Sequence, residues 1–280
     1  MGFLVPTALL RHDAAPGADD GPYCRLGSGL LASVFQLMPG CSPAGHLRYI
    51  RSMGRAAGGL AEALWELHAE SAGKIATPSL PMYHDVWHVH HAITKERFFA
   101  FLADPAHAAE LQPWRPELHA LVRDLAAMEE LLRTLTLPLA SSADNAPAPA
   151  PATQLPMSFV HGDLVTDNFM VDPHSEGVTG VLDFEFVGAD WRAMELAVCT
   201  SKFPEEDDPL AFFSAFFEGY QTAEGQVHKA PFTEQEIALF PRLITLRILS
   251  NVVFFVGRVL SRELPLARLT ERIPGYHRRR

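Results

Sequence analysis

The sequence predicts an α+β fold in which helices dominate and the β-structure is limited to a few short strands. Two long segments, residues 115–134 and 233–260, repeat apolar side chains at helical spacing. Between them, residues 158–184 contain three short apolar runs separated by turn-forming residues, which is typical of small strands. The chain has 280 residues, of which 48% are hydrophobic, so it is long enough for one large domain or two modest ones.

The N-terminal part is predicted to contain a strand followed by a long helix. Leu30 to Met38 form a short apolar run typical of a buried strand, which Pro39 and Gly40 end. Ser42 is predicted to be the N-cap of the helix, and Pro43 suits its first turn. The predicted apolar face of this helix comprises Leu47, Ile50, Ala57, Leu60, Leu64 and Leu67.

Two further helices and an insert are predicted next. The helices cover residues 94–103 and 115–134, and the second is expected to bury Leu118, Leu121, Leu125, Met128 and Leu132. Residues 138–156 include an alternation of Ala and Pro that can form neither a helix nor a β-ladder. We therefore expect a disordered insert at about 138–156.

The C-terminal half is predicted to contain strands and then helices. Strands are expected over residues 158–161, 168–171 and 178–184, with a hairpin joining the last two. The remainder is predicted to be helical, with helices over 208–222 and 233–260. Thr233 and Glu236 form a capping-box pattern at the start of the last helix. Its predicted buried face comprises Ile237, Phe240, Ile244, Ile248, Val252, Phe255 and Val259.

The composition disfavours several classes of protein. A formal net charge of -10 argues against a nucleic-acid-binding protein, which normally presents a basic surface. The three cysteines are scattered and odd in number, which predicts no disulfide framework and fits a reducing, cytoplasmic compartment. Charged residues at 11–13 interrupt the apolar start, so no signal peptide is predicted. Arg247 and Arg258 interrupt the apolar residues 244–260, which predicts a buried helix and no membrane span.

Three polar residues in the strand region have the pattern that phosphoryl transfer requires. The reaction needs a group that orients the acceptor hydroxyl and takes its proton, and oxygen ligands for Mg²⁺. Asp163 lies in a loop, Asn168 follows five residues later where a strand begins, and Asp183 ends a nearby strand. Because the predicted hairpin returns Asp183 to the side of Asn168, we expect all three side chains to face one cavity.

The spacing of these residues resembles a known family. The five-residue step from Asp163 to Asn168 equals that of the protein-kinase catalytic loop, and Asp183-Phe184-Glu185 stands where that family has Asp-Phe-Gly. Gly162 after His161, and the later Gly-Ala-Asp and Glu-Leu-Ala of residues 188–190 and 195–197, resemble the superfamily of aminoglycoside phosphotransferases, choline kinases and type II homoserine kinases. The specific part of the resemblance is residues 160–198.

The resemblance implies a protein-kinase-like fold with a mostly helical large lobe, a small catalytic β-hairpin region and a remnant of an N-terminal β lobe. Residues 1–38 would be that remnant with the hinge, and residues 39–280 the C-terminal catalytic lobe. The family's cofactors, ATP and Mg²⁺, are implied for this chain. Adenine would be bound at the hinge by Gln36, Leu37 and Met38.

The resemblance also implies roles for the site residues. Asp163 would be the catalytic base, and Asn168 and Asp183 would be the metal ligands. His161 is expected to support the loop, and Asp190 and Glu195 are expected to brace it rather than react. The acceptor would be a small hydroxylated metabolite, with homoserine or a related amino alcohol as the first candidate, because Asp-Phe-Glu and the following residues resemble that branch. The sequence does not indicate an oligomeric state.

The N-terminal part departs from the family pattern. In the family a strand Lys binds the phosphates, but no lysine precedes Lys74 here, and residues 27–29 (Gly-Ser-Gly) are too close to the hinge to be the phosphate loop. The resemblance therefore implies that the chain begins inside the small lobe, just before its fourth strand, with Arg25 as a candidate replacement cation. The alternative function is a truncated or degenerate pseudokinase that binds without catalysing.

Two further clusters allow more than one interpretation. The histidines 84, 88, 90 and 91 lack the usual ligand spacing of a zinc site, so they are interpreted as loop histidines, acceptor-pocket residues or, least favoured, zinc ligands. Aromatic residues between 212 and 220 recur at helical spacing, which favours core packing over a cage for a cationic substrate. These residues are Phe212, Phe213, Phe216, Phe217 and Tyr220.

Overall fold

The computed structural model describes residues 24–25, 31–32, 39–43, 46–71, 83, 85–87, 89–136, 155–222, 231–274 and 276. The helices are α1 (Leu47–Ser71), α2 (Lys95–Ala103), α3 (Ala108–Leu111), α4 (Arg115–Thr136), α5 (Arg192–Thr200), α6 (Pro209–Gln221), α7 (Glu234–Leu260) and α8 (Leu266–Thr270). The strands are β1 (Cys24–Arg25), β2 (Leu31–Ala32), β3 (Met157–Val160), β4 (Phe169–Val171), β5 (Val178–Val181) and β6 (Gly188–Trp191). The predicted α+β class is confirmed.

Some predicted features lie outside the described residues. They include the hinge residues Gln36, Leu37 and Met38, most of the insert predicted at 138–156, and His84 and His88. The division at residue 38 into a lobe remnant and a catalytic lobe therefore stays a prediction. Cys41 and Cys199 are free thiols.

The described strands form three separate antiparallel pairs, β1–β2, β3–β6 and β4–β5. The β4–β5 pair, with Phe169 opposite Val181, confirms the predicted hairpin. The prediction of helix throughout the segment after residue 184 is wrong for β6, whose sequence Gly-Ala-Asp-Trp has no apolar alternation. It is a strand because its backbone pairs with β3, where Ser158 lies opposite Asp190.

Cys41 pairs with β4, which corrects the predicted helix start. The prediction placed Ser42 at the N-cap and Pro43 in the first turn, but α1 begins at Leu47. Cys41 forms an antiparallel bridge with Val171, and each backbone N–H donates to the other's carbonyl at 2.9 Å. This bridge attaches the chain to the catalytic hairpin, and the helix can begin only after it.

Helices α1 and α6 pack with their backbones in close contact. A Cβ on Gly54 would lie 2.1 Å from the carbonyl oxygen of Phe216, and one on Gly219 would lie 1.9 Å from that of Arg51. Only glycine at both positions permits this approach. The predicted apolar face of α1 is confirmed at its centre, but its end residues Leu47 and Leu67 are exposed.

The described core has two clusters. One joins α2, α4, α7 and α8, and it includes all five residues predicted to be buried on α4. The other joins α1, α6 and the β4–β5 hairpin, and it contains Phe212, Phe216 and Tyr220 with Phe213 and Phe217 packed against it. The aromatic residues therefore pack in the core, as the helical spacing predicts.

Helix α7 confirms the predicted capping box of Thr233 and Glu236, but the prediction of its buried face is wrong in part. Ile237 is 64% exposed, and the central buried residues are Leu243, Leu246, Leu249, Val253 and Val256. Because this helix is apolar on nearly all sides, its periodicity does not single out one face. By length and composition α7 could also cross a membrane, and half of its most apolar 18-residue window is buried inside the protein. The absence of a membrane span stays a prediction.

A buried ion pair joins the start of α5 to the start of α7. Arg192 donates from Nε and Nη2 to the two carboxylate oxygens of Glu236, each at 2.7 Å. The two side chains are 12% and 1% exposed. Since Glu236 would keep a buried charge without its partner, we expect Arg192→Met to reduce the free energy of unfolding by about 3–5 kcal/mol.

Urea unfolding measures this effect, and Arg268→Met is the matched control. Arg268 pairs with Glu271 at 3.0 Å, but both side chains are mostly exposed. This control should change the free energy of unfolding by less than about 1 kcal/mol. Equal effects of the two substitutions would contradict a structural role for the buried pair.

Candidate functional site

The loop between β3 and β4 carries the His-Gly-Asp motif, and Gly162 fixes its shape. The φ angle of Gly162 is +80°, and a Cβ there would lie 2.6 Å from the backbone oxygen of Phe186. Conformation and space therefore both require glycine. The loop can thus approach the turn that follows β5, which is where Asp183 lies.

Asp163 is partly buried, and its carboxylate forms an ion pair with an arginine side chain. Arg247 on α7 donates from Nη2 to Oδ1 of Asp163 at 2.6 Å. Asn168 donates from Nδ2 to the backbone oxygen of Asp163 at 2.7 Å, and the same nitrogen lies 3.4 Å from Oδ2. Burial raises the pKa of the Asp163 carboxyl above its ordinary value, and the charge of Arg247 opposes this rise.

The β4–β5 hairpin brings Asn168 and Asp183 together, as predicted. The backbone N–H of Leu182 donates to the carbonyl of Asn168 at 2.9 Å. Asp183 follows directly in the left-handed conformation, with φ 65° and ψ 61°, which Asp adopts more readily than most residues. The amide nitrogen of Asn168 points at Asp163, so its amide oxygen remains available. One amide oxygen and one carboxylate suit Mg²⁺, which binds few protein oxygens and keeps waters and phosphates as its other ligands.

His161 is buried behind the loop. Its Nδ1 lies 3.4 Å from the backbone N–H of Asp163, and its Nε2 lies 2.9 Å from the carbonyl oxygen of Leu182. Nδ1 therefore accepts and Nε2 carries the proton. The ring packs against Phe184 with 4.6 Å between the ring centroids. Burial lowers the pKa of His161, which favours a neutral ring that connects the two halves of the site.

Glu195 on α5 is buried directly beneath the loop. Its Oε2 accepts hydrogen bonds from the backbone N–H groups of His161 and Gly162. Its Oε1 is buried and has no hydrogen-bond partner among the described residues. Burial raises the pKa of Glu195 from 4.5 to about 7, and the two backbone hydrogen bonds oppose this rise.

The raised pKa of Glu195 predicts a specific pH dependence of stability. Between pH 4.5 and about 7 the folded protein holds a proton that the unfolded chain has lost, so stability falls as pH rises through this range. Glu195→Gln keeps an oxygen for the His161 N–H but cannot ionise. We therefore expect the difference in the free energy of unfolding, variant minus wild type, to increase by about 3 kcal/mol from pH 4.5 to pH 8.

Urea unfolding at both pH values tests this prediction. The exposed Glu110→Gln serves as control and should track wild type at each pH. A constant difference in stability between wild type and Glu195→Gln across the range would show that Glu195 does not titrate there.

Asp190 and Tyr83 support the same loop from another side. Asp190 is fully buried, and its carboxylate accepts from the backbone N–H groups of Tyr83 and Trp191 at 2.9 and 2.7 Å. Tyr83 in turn donates its hydroxyl to the carbonyl of Gly162 at 2.6 Å. The positions of Asp190 and Glu195 suit the predicted bracing role, since their carboxylate oxygens accept backbone N–H groups.

Two residues of the site were not expected from the sequence: Arg247 and Tyr83. The Cζ atom of Arg247 lies 5.3 Å from the centre of the Tyr83 ring, and its guanidinium contacts Asp163. Arg247 is 84 residues from Asp163, so no local motif connects them. The sequence offered one indication of this contact. Arg247 is a charged residue inside the most apolar stretch of the chain, and a charged side chain that is buried there needs a partner.

The described histidines form a hydrogen-bonded cluster rather than a prepared metal site. His90, His91 and Glu263 have potential ligand atoms within 4.8 Å of one another. However, Nδ1 of His90 accepts from the N–H of Ala92 at 3.1 Å, so its Nε2 carries a proton that points at Glu263, 3.2 Å away. Glu263 also accepts from Arg258 and Ser261. These bonds favour the interpretation of His90 as a loop histidine, and the ring of His91 packs beside it with 4.3 Å between the centroids.

Comparisons with known proteins identify the family of this chain. Residues 2–230 match the model of the phosphotransferase enzyme family. A homoserine kinase of Gluconobacter oxydans is 30% identical over 119 residues, which cover 41% of this chain and 35% of that protein. A homoserine kinase of Beijerinckia indica subsp. indica is 32% identical over 147 residues, which cover 51% of this chain and 42% of that protein. The chain thus matches less than half the length of these relatives.

Two solved structures share the fold. An amicoumacin kinase, solved with AMP-PNP, Ca²⁺ and Ami, superposes with a TM-score of 0.54 at 15% identity. The match covers 97% of this chain and 72% of the amicoumacin kinase. A microcompartment-associated aminopropanol kinase superposes with a TM-score of 0.56 at 14% identity. The match covers 99% of this chain and 74% of the aminopropanol kinase. These likenesses confirm the kinase-like fold class. Because the family match spans well over half of its residues, this chain belongs to the phosphotransferase enzyme family.

Proposed function

We propose that this chain is the catalytic lobe of an ATP- and Mg²⁺-dependent kinase that phosphorylates a hydroxyl group of a small metabolite. The observation that carries the proposal is the position of Asp163 beside Asn168 at the hairpin that also carries Asp183. One half-buried carboxylate with a raised pKa suits a base, and an amide oxygen and a carboxylate at one hairpin suit a magnesium ion.

Each residue then has a distinct task. Asp163 orients the acceptor hydroxyl and accepts its proton through a carboxylate oxygen. The amide oxygen of Asn168 and the carboxylate of Asp183 would hold Mg²⁺, which when bound neutralises charge on the phosphates. His161, Asp190 and Glu195 keep the loop in place through hydrogen bonds to its backbone or across the site.

The adenine site is proposed at Gln36, Leu37 and Met38. The backbone directly after them is attached to the catalytic hairpin, because Thr179 donates its hydroxyl to the carbonyl of Pro39 at 2.5 Å. The bridge between Cys41 and Val171 adds two hydrogen bonds. Residues 36–38 therefore directly precede a segment that contacts the β4–β5 hairpin, at which Asn168 and Asp183 lie.

Homoserine is the first acceptor to test, with related amino alcohols next. Support comes from the two homoserine kinases among the relatives, each of which this chain matches over less than half its length. The second candidate function is a binding module that holds a ligand without catalysis. It is favoured by the ion pair between Arg247 and Asp163, which occupies one oxygen of the proposed base.

Calorimetric titration of the full chain with AMP-PNP tests the nucleotide part of the proposal. We expect binding that depends on Mg²⁺ and is lost when EDTA removes the metal. An absence of heat both with and without Mg²⁺ would overturn the proposed kinase function for this chain. Nucleotide binding without phosphoryl transfer to any acceptor would support the binding module instead.

A further inference from the structure

The contact between Arg247 and Asp163 is unusual for a base that must accept a proton. Nη2 of Arg247 donates to Oδ1 of Asp163 at 2.6 Å, so one of the two carboxylate oxygens is occupied by a cation. An acceptor hydroxyl that approaches Oδ1 therefore competes with Arg247 for that oxygen.

Displacement of Arg247 requires another negative group to take its charge. The side chains of Arg247 and Asp163 are 15% and 24% exposed, so neither charge is fully solvated. Separating a partly buried pair without compensation is costly. A ligand that supplies its own anionic group to Arg247 would avoid this cost and release Asp163 at the same time.

Arg247 has the donors that such an anion needs. Its guanidinium carries five N–H groups, and within the described residues its hydrogen bonding is limited to Nη2 and Asp163. Nη2 has a second N–H group, so an edge of the guanidinium that pairs Nη2 with Nε or with Nη1 can bind a carboxylate through two parallel hydrogen bonds. The Tyr83 ring, itself tied to the loop carbonyl of Gly162, lies against the guanidinium and keeps it beside Asp163.

The other charged groups around Asp163 already have partners or tasks. Lys202 pairs with Asp167 at 2.7 Å. The buried carboxylates of Asp190 and Glu195 accept backbone N–H groups, which leaves them poorly placed to bind an ammonium group. Among the described residues, the charge best placed to recognise an acceptor is therefore the positive charge of Arg247.

We propose that Arg247 binds a carboxylate of the acceptor, so that the substrate is a hydroxy acid or hydroxy amino acid and not a simple amino alcohol. The inference rests on the proposed kinase function and narrows its acceptor class. Binding of the carboxylate moves Arg247 away from Oδ1 and places the acceptor hydroxyl next to the freed oxygen of Asp163. L-Homoserine has the required groups, whereas 3-aminopropan-1-ol is the same molecule without the carboxylate.

This pair of compounds provides the test, which measures binding and needs no turnover. Dissociation constants of L-homoserine and 3-aminopropan-1-ol are measured by calorimetry for wild type, Arg247→Met and Arg242→Met. Arg242 lies on the same helix but is exposed, so its substitution is the matched control. We expect wild type and the control to bind L-homoserine at least about tenfold more tightly than 3-aminopropan-1-ol. Arg247→Met should bind the two compounds with equal affinity.

Several outcomes would overturn the inference. They are equal affinity of the wild type for the two compounds, no binding of either, and a preference that survives in Arg247→Met. If the Met variant does not fold, Arg247→Lys replaces it in the test. This variant should bind L-homoserine several-fold more weakly than wild type and bind 3-aminopropan-1-ol with unchanged affinity. If Arg247 instead binds the transferred phosphoryl group, its loss would slow both acceptors equally and leave the affinity ratio intact, which also refutes the inference.

These affinities, read together with the AMP-PNP titration and an assay of phosphoryl transfer, separate this inference from the proposed function. A carboxylate preference that depends on Arg247, in a chain that fails to bind AMP-PNP, would support the acceptor site and reject the kinase function. Transfer to both acceptors without preference would support the kinase function and reject the role of Arg247.

Discussion

Asp163→Asn should abolish phosphoryl transfer while leaving the fold intact. The substitution keeps the size of the side chain and its contact distance to Asn168, but it removes the oxygen that accepts the proton. General-base catalysis contributes about 10²–10⁴-fold, so we expect kcat to fall by that factor with little change in nucleotide affinity. A coupled assay for ADP formation with L-homoserine as acceptor, together with far-UV circular dichroism, measures both quantities.

Asp167→Asn is the matched control for this experiment. Asp167 lies in the same loop four residues later, but its side chain is 66% exposed and pairs with Lys202 on the surface. Its substitution should change kcat by less than about twofold, since an exposed pair contributes little. Undiminished turnover in Asp163→Asn would refute the assignment of the base.

Asp183→Asn should have the second-largest effect, through the metal. The residue adopts a left-handed backbone conformation that Asn also tolerates, so the hairpin should keep its shape. Loss of a residue that only supports a metal ligand typically costs 10–100-fold in metal affinity. Loss of a direct carboxylate ligand should therefore raise the Mg²⁺ concentration for half-maximal AMP-PNP binding by at least about tenfold.

Titration of Mg²⁺ at fixed AMP-PNP measures this shift. Asp207→Asn removes an equally negative but exposed carboxylate outside the site and should leave the Mg²⁺ requirement unchanged. An unaltered requirement in Asp183→Asn would mean that this carboxylate does not hold the ion.

The parts of the site that depend on local sequence could be predicted. Asp163, Asn168 and Asp183 lie within one loop and one hairpin, so their spacing and the turn between two short strands suffice to bring them together. The buried positions of His161 and Glu195 follow from the same segment and its connection to α5. In each case the determining interactions span at most a few tens of residues.

The parts that depend on distant packing could not be predicted. Arg247 reaches Asp163 only because α7 packs across the site, and an apolar helix gives no periodic signal for which side faces inwards. Strand β6 forms because β3 offers it a partner, although its own sequence has low strand propensity. Likewise, the bridge from Cys41 to Val171 joins residues 130 positions apart and delays the start of α1.

Phosphorus-31 NMR of the full chain with ATP, Mg²⁺ and L-homoserine tests the kinase assignment most directly. The proposed function predicts a new phosphomonoester signal that grows in step with ADP and is absent for Asp163→Asn. ATP that stays intact, or ADP that accumulates with inorganic phosphate and no phosphomonoester for any hydroxylated acceptor tried, would contradict it.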